Sequence, residues 1–238
     1  QTMVARIAGL FFLILALSFP RHGYELIQKE KKTEDIIVVL DFSYSMLAQD
    51  VPPSRMERAK REIADVIDLL QGSRVGLIGF AGGAVSRMPM TSDYRIFNKI
   101  VRDGSPDQFR SQGSNLLAGV DLALDLSQKS SVYSKNILVI SDGESHNQSL
   151  EAVANRARQL GVKIYCLAIG DTEGVPIPLS SGGFLTDNNG DVVITKRDDT
   201  GLIQLAKISK GAFAVASVDV DDINAIYKEG IARNSKTS

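Results

Sequence analysis

The sequence predicts an α/β fold: a doubly wound, mostly parallel sheet with helices on both faces. Short apolar runs such as "DIIVVLDF" (35–42) alternate along the chain with longer amphipathic segments, and this alternation is typical of parallel sheets. The apolar runs are also unbroken, which indicates strands that are buried on both faces. Ligands of such folds bind beyond the carboxyl ends of the strands, near the point where the strand order reverses.

The first half of the chain contains three predicted strands and three predicted helices. The helix at 54–70 has Ser54 as a plausible N-cap and Glu57 three residues later, the pattern of a capping box, and Gly72 follows its end. Pro89 is expected to close a short edge strand. The remaining elements are the strands at 35–42, 74–82 and 84–89 and the helices at 92–102 and 114–128.

The second half continues the alternation and adds a turn-rich insertion. Residues 178–196 contain many Gly, Asn and Asp between strand-like flanks, which predicts a hairpin. The other elements are strands at 136–143, 163–170 and 212–217 and helices at 150–161, 201–211 and 221–233.

The first twenty residues differ in character from the rest. "IAGLFFLILALSFP" (7–20) is uncharged and apolar, and about 20 such residues span a bilayer. A transmembrane helix, a signal-peptide core and a buried helix are all compatible with this run. No A-x-A cleavage pattern precedes the polar part, so we expect a transmembrane segment at 1–21, a linker at 22–34 and the globular domain at 35–235.

Overall charge and cysteine content exclude other classes. The formal net charge is −1 and no block of Lys and Arg is present, so nothing indicates nucleic-acid binding. Cys166 is the only cysteine, which rules out an internal disulfide. Its position in a predicted buried strand favours a small core residue over a reactive thiol.

Three polar clusters lie where the predicted strands end or where a loop enters a helix. They are Asp41, Ser43 and Ser45, then "QGSNL" (112–116), then "SDGE" (141–144). Together they supply only oxygen ligands, which hard divalent cations prefer: Mg²⁺ first, with Mn²⁺ or Ca²⁺ as alternatives. Two carboxylates meeting there would repel one another without a cation. A capping turn, however, uses the same residue types as Asp-x-Ser-x-Ser.

The motifs resemble those of von Willebrand factor A domains, whose metal-ion-dependent adhesion site begins with Asp-x-Ser-x-Ser. Over about 35–215, their order along the chain resembles the bacterial Bat-type proteins of aerotolerance operons. The matching strings are "DFSYSM", "SRVGLIGFAGGA", "MPMTSDY", "QGSNL", "ILVISDGESH" and "GVKIYCLAIGDTEGVPIP". This resemblance implies a Rossmann-like fold and a metal site formed by Asp41, Ser43, Ser45, Ser114 and Asp142.

The resemblance also implies a function. It describes a non-enzymatic module in which a divalent metal binds an acidic residue of a partner protein. It further implies a multiprotein envelope-stress or aerotolerance assembly with related VWA or TPR membrane proteins and a MoxR-type AAA+ ATPase. The expected location is the bacterial inner membrane, with the domain on the periplasmic side. The helix at 221–233 is the expected moving element when the ligand of the metal changes.

Several residues depart from the family pattern or allow other interpretations. Ser114 replaces the usual threonine and lacks the methyl group that restricts its rotamer. Tyr44 stands where a small residue is common, so it either covers the metal or packs on the rim. Thr91 is expected near the rim, behind the ligands. His146 is interpreted as a solvated loop residue. The set Asp187, Asn189 and Asp191 has the spacing of a hairpin turn, not that of a calcium loop.

Two alternatives to the binding module remain. A metal beside carboxylates can activate water, which would make the protein a Mg²⁺- or Mn²⁺-dependent hydrolase. A structural membrane scaffold with an empty metal site is the other alternative.

Overall fold

The computed structural model describes only part of the chain. The described residues from 34 onward belong to one compact unit. In these residues no helix has the length and apolar character needed to cross a membrane. The described residues are residue 3 and residues 34–70, 72–129, 134–144 and 149–216. Three predictions lie outside them: the helix at 221–233, His146, and the segments at 1–21 and 22–34 apart from residues 3 and 34.

Six strands form the main sheet in the order β3-β2-β1-β4-β5-β8. All neighbouring pairs are parallel except β2 and β3, which are antiparallel. The mostly parallel sheet predicted from the alternating pattern is therefore confirmed. The strands are β1 (Glu34–Asp41), β2 (Arg74–Phe80), β3 (Ala84–Thr91), β4 (Ser134–Ser141), β5 (Lys163–Ala168) and β8 (Phe213–Val215).

Helices cover both faces of this sheet, as the sequence predicts. Alternate side chains of β1 point to opposite faces: Ile36 and Val38 pack in the core with α1 and α2, while Ile37 and Val39 pack in the core with α3, α4 and α5. All of β1 is buried, which explains its unbroken apolar sequence. The helices are α1 (Arg55–Leu69), α2 (Tyr94–Arg102), α3 (Leu116–Gln128), α4 (Glu151–Gln159) and α5 (Thr200–Ile208).

Local signals set the start of α1. The side chain of Ser54 accepts a hydrogen bond from the backbone N–H of Glu57, so Ser54 is the N-cap that the sequence predicts. The Ser54 carbonyl accepts the next bond, from the N–H of Arg58. Arg55 is thus the first residue of the helix.

The predicted insertion is a small hairpin next to the main sheet. Its strands β6 (Val175–Pro176) and β7 (Ile194–Thr195) are antiparallel, so it begins three residues earlier than the predicted range. In its turn, one Asp187 carboxylate oxygen accepts hydrogen bonds from the N–H groups of Asn189 and Asp191. The prediction of a hairpin turn here is confirmed.

The prediction that Thr91 lies near the rim is wrong. Strand β3 continues past Pro89 to Thr91, and because it is antiparallel to β2, Thr91 pairs with Val75 near the start of β2. That end of the sheet is opposite to Asp41. The Thr91 hydroxyl accepts a hydrogen bond from the Asp93 N–H, so it shapes the turn into α2.

Candidate functional site

The polar clusters lie at the carboxyl ends of β1 and β4. These two strands are parallel neighbours, and β2 pairs with the other side of β1. After β1, the chain therefore adds β2 on one side of that strand and later adds β4 on its other side. This change of direction is the topological switch point at which open α/β sheets bind their ligands.

The turn after β1 gathers an acid and two hydroxyls. One Asp41 carboxylate oxygen accepts a hydrogen bond of 2.8 Å from the N–H of Ser43, and the hydroxyl oxygens of Ser43 and Ser45 lie 2.8 Å apart. The 3₁₀ turn Tyr44–Leu47 brings the second serine back towards the first. All three polar side chains are buried. Tyr44 between the serines is half-buried.

Ser114 reaches this turn from the loop before α3. The loop is fixed to the end of β2, because the N–H of Asn115 donates to the carbonyl of Ala81 at 2.6 Å and the N–H of Gly82 donates to Ser111 at 3.0 Å. The Ser114 hydroxyl then donates to the second Asp41 carboxylate oxygen at 3.3 Å. Ser114 therefore lies beside Asp41, 73 positions away in sequence.

Asp142 completes the cluster from the end of β4. The Ser45 hydroxyl lowers the pKa of the Asp142 carboxyl group, and the N–H of Glu144 donates to its Oδ1 at 3.2 Å. The structure thus brings the five side chains that the sequence singles out together at the ends of β1 and β4.

The electrostatics of the cluster are unfavourable without a positive charge. Burial, followed by repulsion from Asp142, raises the pKa of Asp41 to about 7, although hydrogen bonds from Ser141 and Ser43 oppose the shift. Burial also raises the pKa of Asp142, against the hydrogen bond from Ser45 and the charge of Arg55. Within the described ranges, every polar contact of Asp41 comes from a hydroxyl or an amide and none from a cation.

This set of ligands fits a hard divalent cation. Asp41, Ser43, Ser45, Ser114 and Asp142 supply only oxygen, and Mg²⁺ commonly combines one or two carboxylates with neutral oxygens and waters. Among the described residues, no three His, Cys, Asp or Glu side chains form a metal-binding group. An ion here would therefore depend on the serine hydroxyls, as the resemblance implies.

Sequence reasoning missed two side chains that hold the cluster. The Ser141 hydroxyl donates to Asp41 Oδ2 at 2.6 Å and accepts from the N–H of Gly143 at 2.9 Å. Arg55 is buried and its Nη1 donates to Asp142 Oδ2 at 2.8 Å. A signal for Arg55 was present, because a cation in the first turn of a helix is opposed by the helix dipole and needs an acidic partner.

Cys166 has the core position that the sequence predicts. Its side chain is fully buried in β5, and burial raises the pKa of its thiol. It lies in the interior of the sheet and takes no part in the cluster.

Comparison with known proteins identifies similar chains. The model of the von Willebrand factor type A domain matches residues 36–144. The crystal structure of BatB from Bacteroides thetaiotaomicron, described as a conserved hypothetical protein, is 34% identical, covers 85% of this chain and 99% of that chain, and has a TM-score of 0.81.

Two further proteins resemble the chain over most of its length. An aerotolerance-related membrane protein from Bacteroides fragilis, crystallised with multiple mutations to serines, is 32% identical, covers 84% of this chain and 98% of that chain, and has a TM-score of 0.79. An uncharacterized protein of Borreliella burgdorferi is 29% identical over 94% of this chain and 67% of its own length.

Proposed function

Because the chain belongs to the von Willebrand factor A family, as a protein of the Bat type, we propose that it is a membrane-associated interaction module. In this proposal a divalent ion, held by Asp41, Ser43, Ser45, Ser114 and Asp142, binds an acidic side chain of a partner protein. The observation that carries the proposal is the buried Asp41 carboxylate, which has hydroxyl and amide contacts but no cationic contact among the described residues.

The chemistry of the ligands favours capture of an anion. A divalent ion held by these residues would supply a positive charge that could bind a further anionic ligand. Three of the five proposed ligands are neutral hydroxyls, so only two carboxylates would offset that charge, and one of them, Asp142, is already paired with the Arg55 guanidinium. A carboxylate of a partner is the natural ligand of this kind. One solved structure of the same fold, proximal thread matrix protein 1 from the mussel byssus, has a zinc-occupied MIDAS motif.

The cellular setting is part of the proposal. A relative of known structure is described as an aerotolerance-related membrane protein, which supports membrane association for this chain. We propose an assembly in the bacterial envelope that contains related VWA or TPR membrane proteins and a MoxR-type AAA+ ATPase. The domain would lie on the periplasmic side, with the residues of 1–21 as the anchor.

Calorimetric titration with Mg²⁺ tests the metal site. The wild-type chain should bind one equivalent of Mg²⁺, and Asp41→Ala should abolish binding because it removes the carboxylate at the centre of the cluster. Asp187→Ala is the matched control, since Asp187 lies in the exposed hairpin turn and its loss should leave binding unchanged. Absence of Mg²⁺, Mn²⁺ and Ca²⁺ binding at millimolar concentrations would refute the proposal.

A pair of peptides tests the partner chemistry. A peptide with one aspartate should bind in the presence of Mg²⁺ and be released by chelator. The same peptide with asparagine at that position should bind at least about tenfold more weakly, a difference of about 1.4 kcal/mol. Equal binding of the two peptides would contradict capture of an acid.

The hydrolase alternative has its own test. Phosphatase and esterase assays with Mg²⁺ or Mn²⁺ should show no turnover above background. Turnover that disappears in Asp41→Ala would replace the binding module with a metal-dependent enzyme.

A further inference from the structure

Arg55 is unusual among the charged residues of the described chain. It has 0% exposure, the largest fully buried side chain in the structure, although it stands at the first residue of α1. Buried guanidinium groups require acidic partners and several hydrogen-bond acceptors. Arg55 has both, and its partners come from the loops after β1 and β4 and from the hairpin.

Two aspartates share the guanidinium. Its Nη2 lies 2.7 Å from Asp50 Oδ2 and its Nε donates to the same carboxylate, while its Nη1 lies 2.8 Å from Asp142 Oδ2. Burial favours a raised pKa for Asp50, but hydrogen bonds from Arg55 and the Asp171 N–H outweigh it, and the pKa is lowered. Both aspartates thus face one cation in a water-poor site.

Arg55 also connects the cluster to the hairpin. Its Nη1 donates to the Thr195 hydroxyl at 3.0 Å, and that hydroxyl donates to Glu144 Oε2 at 2.7 Å. The backbone of Gly170, at φ +117°, lies so close that a Cβ there would be 2.6 Å from Arg55 Nε. The guanidinium therefore occupies a site formed by the loops after β1, β4 and β5.

We propose that Arg55 is a resident cation of the acidic cluster: it neutralises Asp142 when no metal is bound, and a divalent ion must compete with it for that carboxylate. This inference rests on the metal site of the proposed function but goes beyond it, because Arg55 is not a ligand. It explains how two carboxylates are kept together in a folded chain without an ion.

The proposal predicts opposite effects for two changes near Arg55. Arg55→Met removes the competing charge and should tighten Mg²⁺ binding by about tenfold or more, because like charges in a buried site repel strongly. Asp50→Asn leaves the charge of Arg55 less compensated and should weaken Mg²⁺ binding by about threefold or more. An arginine with a purely structural role would leave the dissociation constant of Mg²⁺ unchanged.

A double-mutant cycle in chelator tests the neutralisation without any metal. Arg55→Met should lower the free energy of unfolding in urea strongly, because Asp142 loses its partner. In the Asp142→Asn background the same change should cost about half as much or less, since the charge to be neutralised is gone. Arg74→Met is the matched control: Arg74 pairs with Asp35 at the opposite end of the sheet, and its effect should be the same in both backgrounds.

The outcomes separate this inference from the proposed function. Absent coupling between Arg55 and Asp142 in the cycle overturns the inference. If the wild type binds Mg²⁺ and Arg55→Met does not bind it more tightly, the inference is also overturned. The proposed function stands in that case. If the wild type binds no Mg²⁺ but Arg55→Met does, the proposed function fails and the inference is supported. Should Arg55→Met not fold, Asp50→Asn decides: unchanged Mg²⁺ affinity in that variant overturns the inference.

Discussion

Asp41 is the residue on which the cluster is organised. Its two carboxylate oxygens receive hydrogen bonds from the Ser43 N–H and from the hydroxyls of Ser114 and Ser141. These three hydrogen bonds stabilise the ionised carboxylate only in part, because burial and the nearby charge of Asp142 oppose its ionisation. In the metal-free chain Asp41 therefore holds its proton to an unusually high pH.

A pH dependence of stability follows from this carboxylate. The pKa of Asp41 is about 7 in the folded chain and 3.8 in the reference state, so the stability that this group contributes is fully present below pH 3.8 and is lost as pH rises through 7. The loss is on the order of 4 kcal/mol. Urea unfolding in chelator at pH 5 and pH 8 should show roughly two thirds of this loss, because the part between pH 3.8 and pH 5 lies below the compared range.

Asp41→Asn is the control for that pH dependence. The variant should have a smaller loss of stability between the two pH values, because asparagine does not ionise. Some dependence should remain, since burial also raises the pKa of Glu34 to about 6. Equal pH profiles for wild type and Asp41→Asn would exclude Asp41 as the source.

At the scale of elements, the loop before α3 depends on a glycine. A Cβ on Gly82 would collide with Ser111 and lie 2.6 Å from the Gln112 carbonyl, whereas a Cβ on the next residue, Gly83, would meet nothing within 4 Å. The loop after β2 and the loop before α3 approach each other closely at Gly82, and this contact holds Ser114 beside Asp41. The glycine thus acts on the cluster through the position of a whole loop.

Gly82→Ala should lower the free energy of unfolding by about 1–3 kcal/mol, the usual range for overpacking, and weaken Mg²⁺ binding because Ser114 is displaced. Gly83→Ala should change neither quantity. Urea unfolding and calorimetric titration of the two variants provide the measurement. Equal behaviour of the variants would show that the loop does not control the site.

Element types were predictable because they depend on local pattern. The unbroken apolar run of β1 and the capping residues of α1 specify a buried strand and a helix start without reference to the rest of the chain. The direction of β3 was not predictable, since a strand sequence does not reveal whether its neighbour is parallel. The misplacement of Thr91 is a result of that reversal.

The meeting of the two acids could be predicted because each of them follows a strand. Asp41 and Asp142 come directly at the ends of β1 and β4, and parallel strands bring their ends together. The role of Arg55 depends on a contact over 87 positions, and that of Thr195 on the packing of an insertion. No local pattern encodes such distances.

At the scale of the whole molecule, metal binding should appear as global stability. An ion that binds only the folded chain stabilises it by mass action, by about 2.7 kcal/mol at a concentration of 100 Kd. Mg²⁺ should therefore raise the Tm of the wild type by several degrees, and Asp41→Ala should show no such rise. A shift of equal size in both proteins would indicate binding elsewhere.

The central strand also has a mechanical consequence. β1 begins at Glu34 and ends at Asp41, a distance of about 23 Å for a strand of this length, and it is hydrogen-bonded to β2 and β4 along both edges. A pulling force between the preceding chain and a ligand at the site would run along the axis of β1. The hydrogen bonds of β1 to β2 and to β4 would then be loaded in shear. In this geometry the hydrogen bonds resist the force together and do not break one after another.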